Sequence, residues 1–111
     1  MTDVICHVAI ADDWEMSRGF GEYEVATRGV PLEPGGYVRA TVPDRVAEVV
    51  AERYGDLALP LLRIDMSTSG LAAAGVVVEW ADGNPRVRGP VPMDDEVVLA
   101  EVPISNAPVT S

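Results

Sequence analysis

The stretch GGYVRATVPDRVAEVVAERYG, residues 35–55, changes its hydrophobic period halfway along, and that change decides the fold class. Residues 37–42 alternate: Tyr37, Arg39 and Thr41 fall on one face, Val38, Ala40 and Val42 on the other, which is the two-residue period of a strand. From Pro43 onward the spacing lengthens. Val46, Val49, Val50 and Arg53 share one side, with Ala47, Ala51 and Tyr54 beside it, as on an amphipathic helix. Pro43 suits a first helical turn, Thr41 stands three residues before Asp44 as in a capping box, and Gly55 follows as a stop. A strand therefore feeds straight into a helix.

The flanks fit the same mixture. VICHVAI at 4–10 is short, apolar and β-branched and is read as a buried strand. Its parity sets Val4, Cys6, Val8 and Ile10 against Ile5, His7 and Ala9. Asp12 or Asp13 is placed to cap a short helix that begins near Trp14 and ends at Gly19. Residues 19–36 are read as a loop with one extended piece at 23–26. LPLLRID at 59–65 and VVVEW at 76–80 predict strands. Residues 67–75 are small and irregular, with one helical turn at 71–74; residues 81–84 carry an Asp-Gly turn; residues 95–102 predict a closing strand. The expectation is one α+β domain over residues 1–103, of about five or six strands and two helices, with 104–111 a flexible tail.

Charge narrows the function. The chain has a formal net charge of -10, and all 8 of its cations are arginine. So acidic a surface argues against nucleic acid and against an anionic membrane face. One cysteine excludes an internal disulfide and a cysteine-based zinc cluster, and a single histidine argues against a histidine-based metal site. No metal and no cofactor are expected. Without lysine there is no Schiff-base chemistry. No charged leader with an apolar core is visible and no apolar run approaches membrane-spanning length, so the expected location is cytoplasmic. A GC-rich coding bias accounts for the arginine-for-lysine composition but not for where the arginines fall.

Three of them, Arg39, Arg86 and Arg88, lie in two strand-like segments bounded by glycine and proline, GGYVRATV at 35–42 and NPRVRGPV at 84–91. Arg86 and Arg88 share a face and repel one another unless an anion lies between them. Glu33, Glu79 or Asp82 can supply it from within the chain; a ligand carboxylate or phosphate can supply it from outside, and the guanidinium fork suits both. His7, Arg39, Arg86, Arg88, Tyr37 and Thr41 are the candidate site residues. Cys6 is on the opposite strand face from His7, so the two cannot act as nucleophile and base, and a structural thiol is the better reading. The acidic run at 94–96 is read as a solvated turn, Trp14 and Trp80 as packing. Gly35-Gly36 lacks the strand–turn–helix setting of a dinucleotide fingerprint, and no phosphate-cradling loop or nucleophile elbow is present.

The ordered set ICHVAIADDW (5–14), GYVRAT (36–41), PLLRID (60–65), VEW (78–80) and NPRVRGPVPMDDEVV (84–98) resembles the bacterial domain-of-unknown-function family 952, over about residues 4–102. The resemblance implies an ADP-ribosyltransferase-like fold, a small split, antiparallel-rich sheet with a central cleft, in a group that includes RNA phosphotransferases using NAD. It supplies a pocket and no reaction; NAD enters only through this analogy. It also implies that His7 keeps the first histidine of the family, that Arg39 and Arg86 replace the second and third, and that Arg88 replaces a tyrosine. Permanent cations then stand where titratable groups would be, which argues against any reaction needing two histidines and for binding of an anion or a developing oxyanion.

Three functions remain open on the sequence. The first is a small cytoplasmic enzyme, a candidate biosynthetic tailoring enzyme, that holds an anionic metabolite on Arg39, Arg86 and Arg88, orients it with Tyr37 and Thr41, and uses His7 as its one acid or base. The second is a non-catalytic module binding a nucleotide or acidic metabolite. The third is a structural or interaction protein whose arginines pair internally.

Overall fold

The computed structural model describes residues 4–104 apart from 24, 28–29, 32–35, 55–59 and 82, and of 25–27, 30, 31 and 53 it describes the backbone alone. Glu33, Gly35, Gly55, Asp82 and the tail from 105 onward, each given a part above, lie outside the described residues. In chain order the elements are β1 (Val4–Ile10), α1 (Ala11–Ser17), β2 (Glu22–Tyr23), β3 (Val25–Thr27), β4 (Val30–Pro31), β5 (Val38–Arg39), α2 (Val46–Tyr54), β6 (Leu61–Ser67), α3 (Thr68–Ala73), β7 (Val77–Ala81), β8 (Asn84–Arg88), β9 (Val91–Pro92) and β10 (Val98–Ile104). The protein is a small α+β domain, and every strand pairing among the described residues is antiparallel.

Two three-stranded sheets, β1-β6-β10 and β5-β8-β7, make the frame. They meet at one point. Cys6 and Thr41 exchange both backbone hydrogen bonds, each 2.7 Å long, so β1 and the end of β5 run side by side. This junction fixes which side chains share a face, because directly opposed residues in an antiparallel ladder point the same way. Cys6 and Val8 therefore continue the face of Thr41, Arg39 and Tyr37. Ile5, His7 and Ala9 continue the face of Val38 and Ala40.

Each face has its own core. Ile5, Trp14, Tyr23, Val38, Ile64 and Val87 belong to the larger cluster, roofed by α1. Cys6, Val8, Val46, Tyr54 and Leu61 form the smaller one, under α2. The Tyr54 hydroxyl donates to the Val8 carbonyl at 2.8 Å and so pins α2 to the second face.

Several local expectations need correction. The helix after β1 starts at Ala11 without a side-chain cap; Asp12 and Asp13 occupy its first turn, where a carboxylate favours the positive helix end. It runs past Gly19 through a 3-10 turn, Arg18–Phe20, and stops at Gly21, whose φ of 75° is readily adopted only by glycine. The residues before α2 form a second 3-10 turn, Pro43–Arg45, with Pro43 in the first turn as expected. Thr41 does not cap it, because its backbone is committed to Cys6. The stretch read as irregular with a turn at 71–74 is the full helix α3. Its signal is Ser67, whose hydroxyl accepts from the Gly70 N–H at 3.0 Å.

Candidate functional site

The strand β5 is short, and α2 leans over the side of it that carries Tyr37, Arg39 and Thr41. A cleft of about 290 Å³ opens between them. Tyr37, Arg39, Asn84, Pro85 and Arg86 line its sheet side. Arg45, Glu48, Val49 and Glu52 line its helix side; their spacing of three, four and seven residues puts them on one stripe of the helix. Cys6, Thr41 and Tyr54, all buried, make the floor. Arg45 also reaches across, its Nη1 donating to Asn84 Oδ1 at 3.5 Å, so one end of the cleft is bridged.

The arginine set converges on an aromatic ring. The guanidinium carbons of Arg86, Arg39 and Arg88 lie 4.6, 5.6 and 6.0 Å from the centroid of Tyr37. The negative ring face offsets part of their mutual repulsion and holds them as a group. Strand register supplies the rest: Arg39 stands opposite Arg86, and Arg86 opposite Glu79. Glu79 forms an ion pair with Arg88. Internal neutralisation thus serves Arg88, which is outside the cleft lining. Arg39 and Arg86 have no ion pair with any carboxylate among the described residues, and both border the cleft.

Thr41 is the most informative atom of the floor. The residue is 3 % exposed, and its Oγ1 has no hydrogen-bond partner among the described residues. An unpaired buried hydroxyl costs stability of about 1–3 kcal/mol.

His7 is placed differently from the sequence expectation. It borders the cleft through its position between Cys6 and Val8, but its ring projects into the opposite core and is 2 % exposed. Its Nδ1–H donates to the Arg39 carbonyl at 2.6 Å. Burial, against the weaker opposing effect of that bond, lowers its pKa from 6.5 to about 4. The ring is therefore neutral near pH 7, and Nε2 accepts from the Tyr23 hydroxyl at 3.0 Å. Burial likewise pushes the Tyr23 phenol well above its ordinary range. His7 positions the backbone of Arg39 rather than facing the arginine side chains. The physical reason is the bridge between Cys6 and Thr41, which aligns the face of Arg39 with Cys6 and turns His7 away.

Cys6 is buried, and its thiol donates to Asp65 Oδ1 at 3.2 Å. Burial and that carboxylate push it up to about 12, which suits the structural role read from the sequence. Asp65 is held in turn by Arg63 at 3.0 Å. Arg45, Glu48 and Glu52 are the lining residues that the sequence reading missed. The signal was present: residues 45, 48 and 52 form a charged stripe beside the apolar one of α2. Among the described residues no group of three or more His, Cys, Asp or Glu is placed to hold a metal ion, and no helix is long and apolar enough to cross a membrane.

The fold and cleft together define a small antiparallel α+β domain with a polar groove between a sheet and a helix. A crystal structure of protein CC0527 from Caulobacter crescentus has the same fold: the TM-score is 0.69 at 16% identity, over 90% of this chain and 84% of that one. No protein-family model matches the chain, and no curated protein matches its sequence.

Proposed function

We propose that this protein binds a small anionic metabolite, carrying a carboxylate or phosphate, in the cleft between β5, β8 and α2. The observation that carries the reading is the pairing of two arginines that lack a described counterion, Arg39 and Arg86, with the unpartnered buried hydroxyl of Thr41. Guanidinium groups clamp an anion and a hydroxyl donates to it, and both interactions strengthen in a partly desolvated groove. Tyr37 holds the arginines in place. The size of the cleft favours a small molecule over a dinucleotide.

The binding reading is favoured over the enzyme reading by the placement of His7, whose ring nitrogens are both engaged on the other face of the sheet. Should the cleft do chemistry, the groups at hand are Arg39 and Arg86 as stabilisers of a developing negative charge, and Glu48 or Glu52 as proton acceptors. We keep the ADP-ribosyltransferase-like assignment, the likeness to domain-of-unknown-function family 952 and a cytoplasmic setting as parts of the same proposal. The first two rest on the motif resemblance; the third is the expectation read from the sequence.

The test is thermal shift and calorimetry of wild type against inorganic phosphate, citrate, ADP-ribose and NAD. Phosphate or citrate is expected to raise the melting temperature, and Arg86→Ala to weaken that ligand about 10- to 100-fold, the range for a lost charged hydrogen bond. Identical melting with and without every anion would refute the proposal. Preference for ADP-ribose or NAD over the small anions would support the fold analogy instead.

A further inference from the structure

The two sides of the cleft carry opposite charge. The sheet side presents Arg39 and Arg86, and the helix side presents Glu48 and Glu52, one turn apart on α2. Glu48 is 3.8 Å from Arg45, which is turned toward Asn84 at the bridged end. Glu52 has no ion-pair partner among the described residues. A plain dianion seated between these walls meets the arginines on one side and is repelled by the glutamates on the other. A molecule with an anion at one end and an ammonium at the other satisfies both.

We infer that the preferred ligand of this cleft is zwitterionic, an amino acid or aminoalkyl phosphate, with its anionic group on Arg39 and Arg86 and its ammonium toward Glu52 and Glu48. The inference rests on the anion-binding reading and adds the second half of the ligand. Two features besides the charges support it. Thr41 lies buried between the two walls with an unpaired oxygen, which can donate to the anion or accept from the ammonium. The apolar lining comes from Val8, Val49, Ala81, Pro85 and the rings of Tyr37 and Tyr54, enough to cover a short carbon linker. An excess of negative charge over the whole chain also draws in a ligand whose leading group is cationic, while the local arginine pair orients it.

The experiment compares ω-aminocarboxylates from glycine to 6-aminohexanoate with unsubstituted carboxylates of equal chain length, by calorimetry at low salt, on wild type, Glu52→Gln and Arg86→Ala. In wild type, at least one amino acid is expected to bind about five-fold more tightly than its matched carboxylate, the worth of one partly solvated ion pair. Glu52→Gln is expected to remove that preference by weakening the amino acid and tightening the plain carboxylate. Arg86→Ala is expected to weaken both. Carboxylates that bind as well as the amino acids, or a preference that survives Glu52→Gln, would overturn the zwitterion assignment and leave anion binding standing. No binding by any carboxylate or by phosphate would overturn both.

Discussion

Lowering the pH from 7 to 4 should cost the protein about 3 kcal/mol through His7 alone. In the folded chain the ring is buried and titrates at about 4, against 6.5 when solvated. Between those values the unfolded state binds a proton that the native state refuses, so stability rises with pH there. The contribution is full above pH 6.5, declines as the pH falls toward 4, and is exhausted below it. The interval of about 2.5 pH units, at about 1.4 kcal/mol each, gives the figure. For a domain whose whole stability is of the order of 5–15 kcal/mol, this is a large share.

Carboxylates enter the same titration from below, so the cleanest window is pH 6.5 to 5, where His7 supplies about 2 kcal/mol. With a urea dependence of about 1–2 kcal/mol per molar, the unfolding midpoint should drop by about 1–2 M across that window. His7→Gln retains a donor and an acceptor but cannot titrate. It should start less stable and show a much flatter profile between pH 6.5 and 5. The chain contains one histidine, so its imidazole proton resonances need no assignment and report the pKa directly by NMR. A resonance that titrates near 6.5 in the folded protein, or a pH profile shared by wild type and His7→Gln, would refute the buried neutral ring and with it the case for turning His7 away from the cleft.

Four further outcomes follow from named contacts. Thr41→Val should leave the fold unharmed or stabilise it by about 1 kcal/mol in denaturant melts, because an unpaired hydroxyl is removed, while weakening anion binding in the cleft. Arg88→Ala, outside the cleft lining and paired with Glu79, should change calorimetric affinity for phosphate or citrate less than Arg39→Ala does. Gly70→Ala should destabilise by about 1–3 kcal/mol or more in urea unfolding, since a Cβ there would lie 2.0 Å from the Glu96 carbonyl oxygen, a backbone atom that cannot step aside alone. Cys6, buried and pushed up to about 12, should resist thiol reagents in the native state at pH 8 and react at once in denaturant, as followed by absorbance.

What was legible in the sequence was set by short-range pattern. The alternation at 37–42 and the lengthened period after Pro43 gave the face of Tyr37, Arg39 and Thr41 and the helix α2, because both depend on residues within a few positions of each other. The segment from Val4 to Ile10 read as a strand for the same reason. One error lies where a distant partner decides, while the stop at Gly19 and the missed helix α3 are local misreadings. Thr41 has the spacing of a cap, yet a strand more than thirty residues upstream claims its backbone. Gly19 reads as a stop, yet the helical path continues to Gly21. The arginines stand out by their placement in strands, but the split between Arg88 and the pair Arg39 and Arg86 depends on a side-chain choice across the sheet that no local pattern encodes: Glu79 stands opposite Arg86, yet its carboxylate pairs diagonally with Arg88. Arg45, Glu48 and Glu52 were passed over because a charged helical stripe ordinarily faces water, and what makes it a wall is the sheet opposite.

The junction between β1 and β5 carries more of the site than any single side chain. A strand shifted by one residue exchanges its two faces completely. If His7 rather than Cys6 were paired with Thr41, the imidazole would stand beside the Arg39 side chain above the cleft, and the thiol would enter the larger core with Trp14 and Tyr23. The observed register is held from both sides. Cys6 is tied to Asp65 on the α2 face, while His7 is tied to Tyr23 and to the Arg39 carbonyl on the other. The hydrogen bond from His7 to that carbonyl has a second effect: it anchors the backbone from which the Arg39 side chain reaches into the cleft. The one histidine thus bears on the proposed anion site through the peptide chain, as a buried neutral brace whose loss of position would be felt as misplacement of a cation. The imidazole and the Arg39 side chain thereby stand on opposite faces of the joined strands β1 and β5, which is why the proposed role of the cleft is to match charge and gives His7 no proton to move there.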